Sequence, residues 1–267
     1  MDRAFAKGHL SIDFFCEPFQ SAPALLLRSA VVFFSRLPFL AAVTLIVFLP
    51  GKLAIQFACQ LLDVPTDGIL SYLLLDAGDL LLGSLAVPAV IYGLVAAFRT
   101  GKTPPLGEAL RWGRRQWAKT LWNKFKVEIT VALWSALLLV PGLVAMVKLI
   151  FTDAIVAIEA DRESAVLERS RSLSQGHRWR IFFVLAPVLV VELAATFLAL
   201  NALEQALHSR LALALGDSLL AVGGQWTTVV LLLMYLGLAG PAEPPGLKAK
   251  ALPADRQLKT RRMRRAA

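Results

Sequence analysis

The feature that most constrains this chain is a series of apolar stretches, each near the length that a helix needs to cross a bilayer. About 20 helical residues cover the hydrocarbon core of a membrane. Such stretches lie at Leu37–Gln60, Leu70–Phe98, Val127–Val140, Leu143–Glu159, Ile181–Leu203 and Ser218–Ala239. The sequence therefore predicts an all-α fold: a polytopic transmembrane helical bundle with about six spans and interfacial amphipathic helices.

The third and fourth stretches are short and meet at Pro141-Gly142. Read together, they could form one kinked helix. However, Lys124 to Asp161 covers 38 residues, which is nearly twice the length of one crossing. A tight hairpin is therefore predicted at the Pro-Gly pair.

The composition agrees with a membrane class of protein. Counting the 17 Gly as apolar in place of the 3 Tyr raises the apolar share from 57% to about 62%, against about 45–50% in soluble domains. Only 18% of the residues are charged, and the mean hydropathy is +0.63. A water-soluble fold could not cover that much apolar surface, so lipid is expected to complete the core.

The basic residues lie in four blocks between the apolar stretches, and their count predicts the topology. The segment through Arg36 holds four, Arg99–Lys126 eight, Arg162–Arg180 five and Lys248–Arg265 eight, which is 25 of the 28. Cytoplasmic loops carry such an excess. Six spans place all four blocks on one side, whereas five spans separate them. We therefore predict a multi-pass protein of the bacterial inner membrane, a plasma membrane, with both termini cytoplasmic.

Three segments resemble amphipathic entry helices, each followed by a predicted hairpin. They are Pro105–Trp122, Ser164–Trp179 and, more faintly, Pro23–Arg36. A basic face opposite an apolar stripe is typical of helices that lie in the membrane interface. This pattern predicts one domain over 1–240, with units near 23–99, 105–160 and 164–240. The polar, basic segment 241–267 is expected to be a disordered cytoplasmic tail.

The segment around the central hairpin resembles a known family. The residues that carry the resemblance are Val140-Pro141-Gly142, the run Phe151–Glu159 and the run Ala165–Trp179, with Pro141, Gly142, Ala165, Ser170, Leu173 and Gly176 as the motif. This pattern resembles the glycerophosphoryl diester phosphodiesterase membrane-domain family and related uncharacterised bacterial six-span proteins. The resemblance implies a multi-span helical domain of poorly defined function, which some members fuse to a phosphodiesterase. Only a basic tail follows the last predicted span, so we do not carry over the enzymatic activity.

Charged residues inside the predicted spans are the first candidate site. They are Lys52, Asp76, Asp79, Lys148, Asp153 and Glu192. A charge at a helix centre costs about 2.5–3.5 kcal/mol on insertion scales. Three interpretations stay open: ion pairs formed by Lys52 or Lys148, a transport or proton-relay role for Glu192 and Lys148, and side chains that reach water from the span ends.

Basic residues near the span ends are the second candidate site. Arginine forks and hydroxyl groups can bind lipid phosphate. The candidates are Arg111, Arg114, Arg115, Arg169, Arg171, Arg178 and Trp179. The alternative is a solvated loop of the positive-inside kind, anchored by the tryptophan.

Catalytic chemistry has little support in the sequence. The three histidines are far apart and form no His-Glu-x-x-His pattern, and Gly-x-Ser-x-Gly is absent. We expect no catalytic residues, metal, cofactor or nucleic-acid partner. The expected partners are the bilayer, anionic lipid headgroups and another membrane protein. The predicted function is a non-enzymatic component that organises or regulates the envelope. The alternative is a small transporter or permease component.

Overall fold

The computed structural model describes residues 22–62, 68–159, 165–206 and 210–239. These residues form eight α-helices and no strand, which confirms the all-α prediction. The helices are Ala22–Leu61 (α1), Ile69–Thr100 (α2), Leu106–Leu137 (α3), Leu139–Leu149 (α4), Thr152–Ile158 (α5), Val166–Ser174 (α6), Arg178–Ala206 (α7) and Arg210–Ala239 (α8). The predicted tail, 241–267, lies outside the described residues.

Within the described ranges, five segments are long and apolar enough to cross a membrane. They are Ala22–Leu61, Ile69–Thr100, Val140–Ile158, Arg178–Ala199 and Ala214–Ala239. Each overlaps one of the six predicted spans. The remaining predicted span, Val127–Val140, overlaps mainly the second half of α3, whose first half is strongly charged. Five spans by length and composition are therefore present, and the count of six stays a prediction.

Two of the three predicted entry helices do not exist as separate elements. Almost all of the predicted segment Pro105–Trp122 lies within α3, and α3 continues without a break to Leu137. No glycine or proline lies between Gly113 and Pro141 to stop this helix. Pro23–Arg36 likewise lies inside α1. The third entry helix is separate, as α6, because Gly176 adopts a positive φ of 82° just after it.

The apolar stripe of α3 packs against α2. Gly113 is buried, and a Cβ atom there would lie 2.5 Å from the carbonyl oxygen of Leu85. Trp117 donates its indole N–H to the carbonyl of Leu81 at 3.2 Å. Near the other end of the pair, the Tyr92 hydroxyl donates to Glu108 at 2.6 Å. The two helices therefore run antiparallel in close contact.

A tight hairpin is present between α3 and α4, but its turn lies three residues before the predicted Pro141-Gly142, which falls inside α4. Leu138 is the single extended residue between the two helices. Gly142 lies so close to Ser135 that a Cβ atom would overlap it. Further from the turn, Lys124 of α3 lies 3.4 Å from Asp153 of α5. Small size at Gly142 lets the two helices approach immediately after the turn.

The core is formed by the inner faces of α1, α2, α5, α7 and α8. Its fully buried large side chains include Leu40, Leu94, Phe151, Ile155, Ile181 and Met234. By contrast, the outer face of α7 is apolar and exposed, with Val190 64% and Leu193 72% exposed. Contiguous exposed apolar surface of this kind requires a partner or a lipid environment.

Candidate functional site

The first cluster of charges surrounds Lys52, a lysine of α1 that is only 4% exposed. Its ammonium nitrogen lies 2.7 Å from Asp79 Oδ1 of α2 and 3.7 Å from Asp217 Oδ2 of α8. One of the expected pairs, Lys52 with Asp79, is therefore present. Because a buried charge without a partner is costly, this contact ties three helices together at one point.

The other predicted charges separate into different surroundings. Asp153 pairs with Lys124, as described above. Asp76 is exposed. The side chain of Lys148 lines a surface groove and has no salt-bridge partner among the described residues. The expected neutralisation of Asp76, Asp79 or Glu192 by Lys148 is therefore absent from the described part of the chain.

Glu192 of α7 is bound by a threonine. Its carboxylate accepts a hydrogen bond of 2.7 Å from the Thr227 hydroxyl and one of 3.3 Å from the Thr227 backbone N–H. Beside it lies an apolar crevice of about 320 Å³, lined by residues of α1, α7 and α8 that include Phe33, Phe34 and Trp226. The crevice gives Glu192 a route to the exterior of the bundle.

Ser170 of the motif and the nearby Ser174 supply hydrogen bonds at a break between two helices. The backbone is interrupted between α4 and α5 at Ile150 and Phe151. Ser170, which is fully buried, donates to the carbonyl of Lys148 at 3.0 Å and accepts from the N–H of Phe151 at 3.3 Å. Ser174 adds a longer contact of 3.4 Å to the Lys148 carbonyl. The hydroxyls thus replace helical hydrogen bonds that the break removes.

The remaining motif residues position α6 for this contact. The carbonyl of Ala165 accepts the first backbone bond of α6, from Arg169 at 2.8 Å. Leu173 is half-buried against the core, and Gly176 ends the segment. Pro141 and Gly142 lie in the first turn of α4 at the hairpin. The motif therefore describes one local structure, in which α6 seals the break behind the hairpin.

Arg169 is separated from the other arginines of its segment. Its Nε lies 3.5 Å from Glu159 Oε1. The hydroxyl of Tyr235 donates to the same carboxylate oxygen at 2.7 Å. Arg169 thus links α6 to the end of α5 and, through Glu159, to α8. This contact gives Arg169 a structural role, and its headgroup role stays a prediction.

Arg171 and Arg178 line a groove with Lys148. The groove has a volume of about 830 Å³ and lies between α3, α4, α6 and the start of α7. Its apolar part is formed by Trp134, Val140, Pro141 and Val144, among others. Lysine and arginine therefore meet exposed apolar surface in one continuous depression.

The remaining headgroup candidates lie on other surfaces. Arg111, Arg114 and Arg115 line a separate depression on α3 with a volume of about 570 Å³. Trp179 is 76% exposed at the start of α7, with its ring stacked 6.2 Å from that of Phe183. The predicted headgroup set thus divides between two basic surfaces, with Arg169 belonging to neither.

The sequence identified the charged residues of the site but not most of the residues that contact them. Asp217 lies one residue before the predicted sixth span, and Lys124 was counted with a basic loop. Thr227 and the carbonyl of Lys148 carry no charge, so charge patterning could not indicate them. Depth estimates from the ends of the spans could have paired Lys52 with Asp217.

The described residues contain no group of three or more His, Cys, Asp or Glu that could hold a metal ion. No family model, curated protein or solved structure matches the chain.

Proposed function

We propose that this chain is a non-catalytic, multi-span protein of the bacterial inner membrane, with both termini cytoplasmic, that organises or regulates other envelope components. Contact with lipids or with a partner membrane protein would carry this role. The observation that supports it is the fixed pairing of charges between helices, above all at Lys52. We also propose a relationship to the phosphodiesterase membrane-domain family, supported by the single local structure that the motif residues of this chain form around Ser170.

The contacts of Lys52 favour a static bundle over a moving one. A transport cycle needs charged groups that exchange partners or meet water during the cycle. Lys52 is buried and held by carboxylates from two other helices, and loss of both partners would leave its buried charge unpaired, at a cost of several kcal/mol. The exposed apolar face of α7 would then serve contact with lipid or a partner.

Co-purification from the native membrane tests this proposal. The full chain is extracted in mild detergent, and the bound lipids and proteins are identified by mass spectrometry. An unrelated polytopic protein, extracted in parallel, is the control. The proposal predicts that a defined membrane protein or lipid class is enriched over the control. Enrichment of neither, together with substrate flux in proteoliposomes, would contradict it.

A small transporter or permease component is the second candidate. The observation in its favour is the crevice of about 320 Å³ that reaches Glu192 from the exterior of the bundle. This hypothesis predicts that Glu192→Gln abolishes flux in proteoliposomes while the protein still folds and inserts. Full flux in that variant would remove Glu192 from a transport mechanism.

A further inference from the structure

The groove between α3, α4, α6 and α7 is lined by apolar residues at one end and by cationic residues at the other. Val140, Val144 and Lys148 lie four residues apart in α4, so they occupy one face of that helix. The rise of 1.5 Å per residue separates Val140 from Lys148 by about 12 Å along the axis. The groove is therefore apolar near the α3–α4 turn and cationic near the α4–α5 break.

The cationic end carries a net positive charge. Arg171 and Arg178 join Lys148 there, and Glu168 is the one carboxylate in the lining. Three cations against one anion leave a formal charge of +2. None of the three cations has a salt-bridge partner among the described residues. This end of the groove is thus electrostatically complementary to an anion.

The apolar end is open. Val140 is 69% exposed, Trp134 48% and Val144 38%. Arg178 and Trp179 begin the helix that is long and apolar enough to cross a membrane, and basic and aromatic residues at such a position are typical of the headgroup layer. Arg178 thus belongs at the level of lipid phosphates. Lys148 lies deeper, nine residues into the segment Val140–Ile158, and its long side chain extends toward that level. The apolar end lies alongside the acyl chains.

We propose that this groove binds one anionic phospholipid, with its phosphate at Lys148, Arg171 and Arg178 and an acyl chain along Trp134, Val140 and Val144. This inference deepens the proposed function, which names lipid contact only in general, and it rests on it. Ser170 and Ser174 hold α6 against the Lys148 carbonyl, so Arg171 of α6 and Lys148 of α4 are fixed relative to each other.

Native mass spectrometry of the full chain in mild detergent tests the site, with phosphatidylglycerol and phosphatidylcholine of identical acyl chains as the added lipids. We expect one tightly bound phosphatidylglycerol per chain. Arg171→Ala/Arg178→Ala should weaken its binding roughly 30-fold, at about 1 kcal/mol for each removed charge. The matched control is Lys102→Ala/Lys126→Ala, which removes two exposed cations outside the groove and should leave that binding within about twofold.

A second pair of variants tests the acyl end without changing charge. Val144→Trp fills the groove and should displace the lipid. Leu143→Trp is the control, because Leu143 is 39% exposed on the same helix but does not line the groove. Equal lipid loss in both tryptophan variants would contradict lipid binding in the groove. Equal lipid loss in the double arginine variant and its double lysine control would contradict it too.

Two further outcomes would also overturn the proposal. One is equal binding of phosphatidylcholine. The other is displacement of the lipid by millimolar inorganic phosphate, which would indicate a site for small anions. In each of these cases, enrichment of partners or lipids from the native membrane would still support the broader proposed function, so the two failures are distinguishable.

Discussion

Replacing Ser170 by alanine should destabilise the bundle more than its small size suggests. The hydroxyl is fully buried and bridges the Lys148 carbonyl and the Phe151 N–H across the break between α4 and α5. Its removal leaves the Phe151 N–H without this acceptor, and a buried unsatisfied group costs about 1–3 kcal/mol. The carbonyl keeps only the longer contact from Ser174. We therefore expect Ser170→Ala to lower the free energy of unfolding by about 2–4 kcal/mol.

Two neighbouring serines provide graded controls for this prediction. Ser174→Ala removes the 3.4 Å contact and should cost about 0.5–1.5 kcal/mol. Ser172→Ala removes an exposed bond to the Arg169 carbonyl within α6 and should change stability by less than about 0.5 kcal/mol. Unfolding in mixed micelles with increasing SDS, followed by circular dichroism, gives all three values. If Ser170→Ala matched Ser172→Ala, the proposed repair of the helix break would be refuted.

Three further predictions concern packing, charge and the second candidate function. Gly113→Ala should destabilise by about 1–3 kcal/mol because its Cβ meets the Leu85 carbonyl; Gly107→Ala, where nothing lies within 4 Å, should not, and equal effects in the same SDS titration would contradict the close packing of α2 and α3. Lys52→Met should cost about 1–3 kcal/mol in that titration, since it leaves two carboxylates facing each other, and wild-type stability would contradict the structural role of the ion pairs. Glu192→Gln should leave folding intact, as judged by monodisperse elution in gel filtration, because a neutral amide still accepts a bond from Thr227; aggregation of this variant would contradict the assignment.

The sequence was sufficient to predict those features of the fold whose physical signal is local. Span length, the Pro-Gly pair and the stop at Gly176 each act through the backbone of adjacent residues, and each corresponds to an element of the fold. The prediction of a separate entry helix before the third span was wrong because its signal, amphipathicity, is not sufficient by itself. Amphipathicity indicates that a face is covered, but it does not say whether lipid or α2 covers it.

The site was less predictable because it depends on which helices are neighbours. Lys52 was recognised as a buried charge, but its contact with Asp217 joins residues 165 positions apart in the sequence. The role of Ser170 depends on a carbonyl oxygen, and every residue has one. The groove is formed by residues of four helices. The sequence could therefore identify Arg171 and Arg178 as basic residues, but it could not show that they line the groove and that Arg169 does not.

We propose that the chain crosses the inner membrane with its basic segments on the cytoplasmic side. Two exposed positions test it directly: Leu62, at the end of α1, and Ser172, in α6. Each is replaced by cysteine in a background carrying Cys16→Ser and Cys59→Ala, and intact cells are treated with a membrane-impermeant maleimide. We predict labelling of Leu62→Cys in intact cells and of Ser172→Cys only after permeabilisation. Labelling of both positions from outside would contradict the account.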